Sequence, residues 1–230
     1  MQMQHLIAGV CLAAASTACG HYDSVYATGP TPVMIIGSGR VITEQRPVSG
    51  FTSIAVSGGI QAVVTVGGND SLEIAAEDNI APVVDATVAG GRLTIGFRPG
   101  STSIRTSVGV VCYIGARSLR AIEASAAGRF QVDGIDAPEF SIALSGAASF
   151  SGAGSVDRLR MDLSGASRAS AELLRARTVD ATLSGASYGL QRVVDALDVR
   201  AGGASVLEYL GDPTVHTDTS GASEVRRVGP

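Results

Sequence analysis

Serine is the residue best placed to do chemistry in this chain, because it returns at a fixed place in a short phrase. The phrase reads Leu144-Ser145-Gly146-Ala147, then Leu163-Ser164-Gly165-Ala166, then Leu183-Ser184-Gly185-Ala186. A degenerate copy, Ala201-Gly202-Gly203-Ala204, and a final one, Thr219-Ser220-Gly221-Ala222, follow. Ala124-Ser125-Ala126-Ala127 is a worn copy ahead of them. A serine nucleophile needs an adjacent base, usually histidine, and a carboxylate to orient that base. Of the three histidines, only His216 lies near a copy of the phrase. A polar residue that repeats with the architecture behaves as a structural residue, so Ser145, Ser164, Ser184 and Ser220 are read as parts of the fold.

The other candidate chemistries are weaker still. The histidines are scattered and no Cys/His spacing suits a metal. The glycine-rich calcium nonapeptide of secreted β-rolls is absent. Gly37-Ser38-Gly39 lacks the third glycine and the following helix of a dinucleotide loop, so it reads as a turn before a strand. No cofactor, metal or catalytic residue is expected. β-Helical enzymes that cleave polysaccharides need clustered carboxylates or a calcium site. Asp162, Asp180, Asp198 and Asp218 do not fall in one column of the repeat. Stacking would set Arg160 beside Asp180 and Arg200 beside Asp218, a solvated face of opposite charges. Tyr188 projects outward, level with Arg168 and Val206, and Tyr209 follows nearby. These two tyrosines form a candidate surface patch for a protein or glycan partner.

The elements that position these residues follow from the flanks of the phrase. Upstream, the positions read Phe140, Ile142, Leu144; Leu159, Met161, Leu163; Val179, Ala181, Leu183; Leu197, Val199, Ala201; Val215, Thr217, Thr219. The residues between them are mostly polar. This period of two marks a strand with one buried face. Downstream, Ala148, Ser167, Ser187, Ser205 and Ser223 resume the alternation. Each repeat is thus strand, small-residue corner, second strand and variable return. A corner crowded by its copies leaves little room for side chains, which accounts for Gly146, Gly165, Gly185, Gly202, Gly203 and Gly221. One rung cannot bury its own apolar face, and stacking closes the core. The predicted fold is all-β: a single-stranded parallel β-helix, right-handed by the crossover rule, with rungs of about 18–20 residues.

Composition agrees with a narrow stacked core. The 230 residues include 29 glycines and no tryptophan, and only 4% are aromatic. The net charge of -4 lacks the basic footprint of a nucleic-acid binder. Cys112 is in phase with Val108, Val110 and Ile114 and reads as a buried small hydrophobe. Ahead of the ladder, Val84, Ala86 and Val88 face Leu93, Ile95 and Phe97 across Gly90-Gly91, a hairpin signal. Glu77 to Val83 reads as a loop or single helical turn, and Ile104 to Ile114 as one long strand. Glu224, Arg226 and Arg227 put charge on the last rung, a solvated cap on an edge that could otherwise recruit a second copy into an oligomer.

Residues 1–18 resemble an export signal. Leu6 to Ala15 is an apolar run too short to span a bilayer, and Ser16-Thr17-Ala18 precedes Cys19. The pattern resembles a bacterial lipoprotein signal, in which Cys19 is lipidated and anchors the chain to a membrane. Ser16-x-Ala18 would equally serve plain secretion. Residues 19–32 read as a flexible tether and 33–230 as the β-helix domain.

A family resemblance rests on the order of several motifs. These are Gly37-Ser38-Gly39, Glu44-Gln45-Arg46-Pro47-Val48-Ser49-Gly50-Phe51, Ile54-Ala55-Val56-Ser57-Gly58, Glu77-Asp78-Asn79-Ile80, Gly91-Arg92-Leu93-Thr94-Ile95 and the Leu-Ser-Gly-Ala phrases. Together they resemble the head GIN domain family of bacterial envelope proteins, labelled autotransporter adhesins. The resemblance spans about Val33 to Val228. It implies a β-helical fold, an exported location and no catalytic residues. The expected function is a non-catalytic envelope domain for adhesion, surface interaction or scaffolding. The alternative is a carbohydrate-binding or carbohydrate-active β-helix.

Overall fold

A computed structural model describes residues 34–98 and 103–229. The expected signal, tether and Cys19 lie outside the described residues. The protein is an all-β solenoid with parallel stacking. Its strands are β1 (Met34–Ile36), β2 (Val41–Arg46), β3 (Ser53–Val56), β4 (Gln61–Val66), β5 (Ser71–Glu77), β6 (Val84–Ala89), β7 (Arg92–Phe97), β8 (Ser103–Arg105) and β9 (Val111–Ala116). The ladder continues with β10 (Ala121–Ala124), β11 (Arg129–Leu144), β12 (Ser149–Leu163), β13 (Arg168–Leu183), β14 (Tyr188–Ala201), β15 (Val206–Leu210), β16 (Thr214–Thr219) and β17 (Glu224–Arg227). A 3-10 turn at Ala81–Val83 follows β5, within the stretch from Glu77 to Val83 that the sequence reads as a loop or a single helical turn.

Two long faces run along the core, and the return segments add a third wall in which Ala137, Val156, Ala176 and Val193 are buried in register. On one long face, the column Leu93, Ile54, Ile122, Ile142, Met161, Ala181, Val199 runs through β7, β3, β10 and the C-terminal parts of β11 to β14. On the other, Cys112, Ala62, Phe130, Phe150, Ala169, Gly189, Leu207 runs through β9, β4 and the N-terminal parts of β11 to β14, then β15. All the side chains in both columns are buried. Size is complementary across the core. Where the second column narrows to Ala169 and Gly189, a β-carbon built on Gly189 would stand 2.7 Å from Leu207, 3.4 Å from Leu163 and 3.6 Å from Met161. Long side chains fill the space that small ones leave, as close packing requires.

Four features depart from the sequence reading. The rung of β3 and β4 is stacked out of chain order: β3 lies between β7 and β10, and β4 between β9 and β11. The chain leaves this rung, builds the end of the stack and returns on the opposite side. That end is antiparallel, with β5 paired to both β9 and β2, and β6 to β7. The β6–β7 hairpin has the predicted register, Val84 with Phe97, Ala86 with Ile95 and Val88 with Leu93. Ile104 to Ile114 is not one strand. It breaks between β8 and β9, where Gly109 has φ +82° and Thr106 Oγ1 accepts the N–H groups of Val108 and Gly109. Val108 is therefore exposed, while Cys112 remains buried. Finally, the return segments are extended rather than looped. β11 to β14 each run 14 to 16 residues and absorb their unequal lengths as register shifts.

Candidate functional site

The corner is the most regular feature of the molecule. Gly146, Gly165, Gly185, Gly203 and Gly221 all adopt φ between +69° and +76°. The residue after each glycine donates its N–H to the corner carbonyl on the preceding rung. These bonds are Ala147 to Ala126 (2.6 Å), Ala166 to Gly146 (2.7 Å), Ala186 to Gly165 (2.8 Å), Ala204 to Gly185 (2.7 Å) and Ala222 to Gly203 (2.7 Å). A β-carbon on Gly165 would stand 2.7 Å from Gly146 O, and on Gly185 2.6 Å from Gly165 O. Backbone conformation and stacking distance therefore both select glycine. Gly202 sits one position earlier, where a β-carbon would meet only Ser220 Oγ, at 3.2 Å.

The serines of the phrase lie at the rim of this corner. Ser145, Ser184 and Ser220 are exposed and Ser164 is half-buried, its hydroxyl donating to Leu144 O at 3.3 Å. Each of the four donates its backbone N–H to the rung before it. The serines three residues further on lie deeper: Ser167, Ser187 and Ser205 are buried and Ser223 is half-buried. Ser187 Oγ donates to Leu163 O (3.4 Å), Ser205 Oγ to Gly202 O (3.0 Å), and Ser223 Oγ to Ala201 O (3.0 Å) and Ser220 O (2.8 Å). These three return to carbonyls of the corner, which is where the polar atoms of a buried turn find partners, whereas the buried Ser167 hydroxyl has none among the described residues. Histidine is not among these partners.

The two tyrosines do not form one patch. Tyr188 pairs with Val206, so Tyr209, three residues beyond Val206, projects to the opposite face. Tyr209 packs against the core next to the buried Gln191, its cross-strand partner. Gln191 donates its side-chain N–H groups to Leu174 O (2.6 Å) and Arg192 O (2.8 Å), closing the backbone around the irregular stretch of β13. Sequence pattern did not reveal it, because a glutamine in phase with apolar neighbours looks like an ordinary strand residue.

Tyr188 belongs to a polar brace on the outside. The Arg168 guanidinium lies 4.7 Å from its ring centroid. Its hydroxyl donates to Glu208 at 2.5 Å, and Glu208 also pairs with Arg226. Burial and the Glu208 contact push the phenol up, while bonds from Tyr188 and Arg226 hold the Glu208 carboxyl below its ordinary range. Several charges elsewhere on the outer faces are paired too, though not always as column order suggests. Arg160 and Asp180 are cross-strand neighbours, yet Arg160 binds Asp162 on its own strand at 2.9 Å. Arg200 is level with Asp218 but reaches Asp180, at 3.5 Å. Asp180 and Asp198 share one column, which continues to His216.

A second polar cluster stitches the antiparallel end. Glu77 is fully buried. It accepts the Gly39 N–H at 3.0 Å and the Ser107 hydroxyl at 2.8 Å. Hydroxyls of Thr106 and Ser107 hold its carboxyl below the usual glutamate range. Its carboxylate lies against Gly37, where a β-carbon would stand 2.0 Å from Oε2. The next residues, Asp78 and Asn79, bind Ser38 and Ile36 O. The Gly37-Ser38-Gly39 turn is thus the seat of the Glu77-Asp78-Asn79 segment.

What the arrangement does chemically is hold itself together. Glu139, Asp157 and Asp195 line one surface hollow, but Glu139 is paired with Arg158 at 2.6 Å and Asp195 with Arg177 at 3.0 Å. Among the described residues no group of three or more His, Cys, Asp or Glu could hold a metal ion, and no helix is long and apolar enough to cross a membrane.

Comparison with known proteins agrees with the geometry. A family model described as "putative auto-transporter adhesin, head GIN domain" matches residues 50–213. No curated protein matches. A solved structure described as a putative adhesin from Bacteroides fragilis is similar over 84% of this chain and 100% of its own, with 19% identity and a TM-score of 0.69. A putative adhesin from Parabacteroides merdae is similar over 85% and 99%, at 17% identity and a TM-score of 0.52. A structure described as a putative lipid binding protein from Parabacteroides distasonis is similar over 85% and 100%, at 16% identity and a TM-score of 0.54. At these identities the structures share the fold. With its family model matched over most of its length, the chain belongs to the head GIN domain family of adhesin-type proteins.

Proposed function

We propose that this protein is an exported, non-catalytic domain of the bacterial envelope, tethered to a membrane through lipid on Cys19 and acting in surface adhesion or scaffolding. The observation that carries this reading is the commitment of its polar side chains. The hydroxyls of Ser164, Ser187, Ser205 and Ser223 return to corner carbonyls, and Arg158, Arg160, Arg177, Arg200 and Arg226 meet carboxylates of their own or adjacent rungs. A catalytic centre keeps a nucleophile, acid or base free for substrate. A display scaffold needs a rigid stack with broad solvated faces, and stacking supplies that. The adhesin description of the family supports the same reading.

The test is attachment. Cells of an exporting bacterial host making the full chain should bind to one another or to a host-cell layer more than cells making the Cys19→Ala variant. The purified soluble domain should compete with that attachment. Equal attachment by both strains, with the variant shown to be released from the cells, would remove adhesion through an anchored domain.

A further inference from the structure

The outer face bearing β10, β11 and β12 contains a hollow of about 660 Å³. Its lining is Arg120, Pro138, Glu139, Phe140, Ser141, Arg158 and Arg160. That volume is within the range of about 300–1,000 Å³ typical of small-ligand sites. Three guanidiniums face one carboxylate here, on a chain whose net charge is -4. The local charge is therefore opposite in sign to that of the whole protein.

The arginines are not equally committed. Arg158 uses Nη1 on Glu139, and Arg160 uses Nε on Asp162. Those contacts leave the Nη groups of Arg160 and the remaining N–H groups of Arg158 without a hydrogen-bond partner among the described residues. The Arg120 side chain makes no hydrogen bond or ion pair among the described residues, and neither does the Ser141 hydroxyl. Register places them together. Ser141 is level with Ala121 on one side and Arg160 on the other, so Arg120 and Arg160 flank it from rungs about 10 Å apart. Long arginine side chains close that gap over a ligand of a few atoms. Pro138 supplies apolar atoms beside them, while the Phe140 side chain turns into the core.

We infer that this hollow is a binding site for a compact oxyanion, a carboxylate or phosphate group, held between Arg120 and Arg160 over Ser141. Planar guanidinium forks bind either group in bidentate fashion. The positive character is local. The neighbouring hollow, which shares Pro138, Glu139 and Arg158, adds Asp157, Arg177 and Asp195. A long polyanion would meet these carboxylates, whereas a compact anion would not. The site does not depend on the adhesion reading.

The test uses the mature chain, inorganic phosphate, and benzoate with its uncharged counterpart benzamide. The side chains of Arg158 and Arg160 are 67% and 65% exposed, so titration calorimetry is done at low ionic strength, where screening is weak. At least one anion should saturate a single site while benzamide does not. Arg120→Gln and Arg160→Gln should each weaken it about tenfold, the loss of one charge-assisted contact. Arg129→Gln, on the opposite face, should leave it unchanged. Preference for benzoate identifies a carboxylate on an apolar body, and preference for phosphate identifies a phosphate group. No saturation by either anion below about 20 mM, a Kd too weak to count as a site, overturns the proposal. So does equal affinity in the Arg120 and Arg160 variants, provided their melting temperatures match the parent.

Discussion

Replacing Gly165 with alanine isolates the contact that builds the corner. Two costs are expected. At φ +72° an alanine sits in the left-handed region, which costs about 1–2 kcal/mol. Its β-carbon would also stand 2.7 Å from Gly146 O and 3.0 Å from Gly146 N, atoms of a stacked backbone that cannot rotate away. Overpacking of this kind costs a further 1–3 kcal/mol or so. The total of roughly 2–5 kcal/mol is a large part of the 5–15 kcal/mol that holds a typical domain. Gly90 provides the control. It has φ +56° and nothing within 4 Å of a built β-carbon, so Gly90→Ala should lose only the conformational part. Ala126 provides the reverse case. It occupies the glycine place of the worn copy at φ +58°, so Ala126→Gly should gain about 1 kcal/mol. Urea denaturation of the three variants and the parent gives the comparison through their midpoints. If Gly165→Ala and Gly90→Ala lose the same stability within about 0.5 kcal/mol, the corner is not tightly stacked and the reasoning is refuted.

Other outcomes follow from the core and the polar clusters. Gly189→Val should cost about 1–3 kcal/mol, because its side chain would meet Leu207, Leu163 and Met161; calorimetric melting measures it. Glu77 has a lowered pKa in the fold, so its contribution is present above the ordinary value of 4.5 and is lost as pH falls through the lowered one. Glu77→Gln should therefore melt lower than the parent at pH 7 and show a flatter decline as pH falls below the ordinary value; an unchanged slope would show that Glu77 does not carry this dependence. Burial pushes the Cys112 thiol up to about 12, so alkylation at pH 8 should proceed only at the rate of unfolding, and rapid labelling of native protein would contradict its burial. Tyr188→Phe keeps the ring under Arg168 but removes the bond to Glu208, and should cost about 0.5–1.5 kcal/mol in urea denaturation.

The repetitive half of the molecule was legible because one rule governs every rung. Alternation at Phe140, Ile142 and Leu144 fixes a buried face, and Gly146 marks the corner; each copy then repeats both constraints. The resemblance motifs also fall at defined structural points, the Glu77-Asp78-Asn79 segment seating on the Gly37-Ser38-Gly39 turn. Less was legible where position depends on chain path. Nothing local to Ile54 or Ala62 says that their rung stacks between strands that come some 40 to 70 residues later, since any rung with the same alternation could take that place. The break at Thr106 to Val110 was masked by valines whose period fits a strand, while Gly109 and the Thr106 hydroxyl impose a turn. Tyr188 and Tyr209 looked like neighbours by number, but their opposite parity sends one to solvent and one to the core. The Arg120 hollow was invisible for a similar reason, because its lining comes from three rungs and no short motif contains it.

Export and anchoring at Cys19 underlie the proposed function, and intact-mass spectrometry of the protein made in a bacterial host with its own leader tests them most directly. The expected product is a mature chain that begins at Cys19 and carries the added mass of lipid. An unmodified chain beginning at Met1 and recovered from the cytoplasm would contradict it.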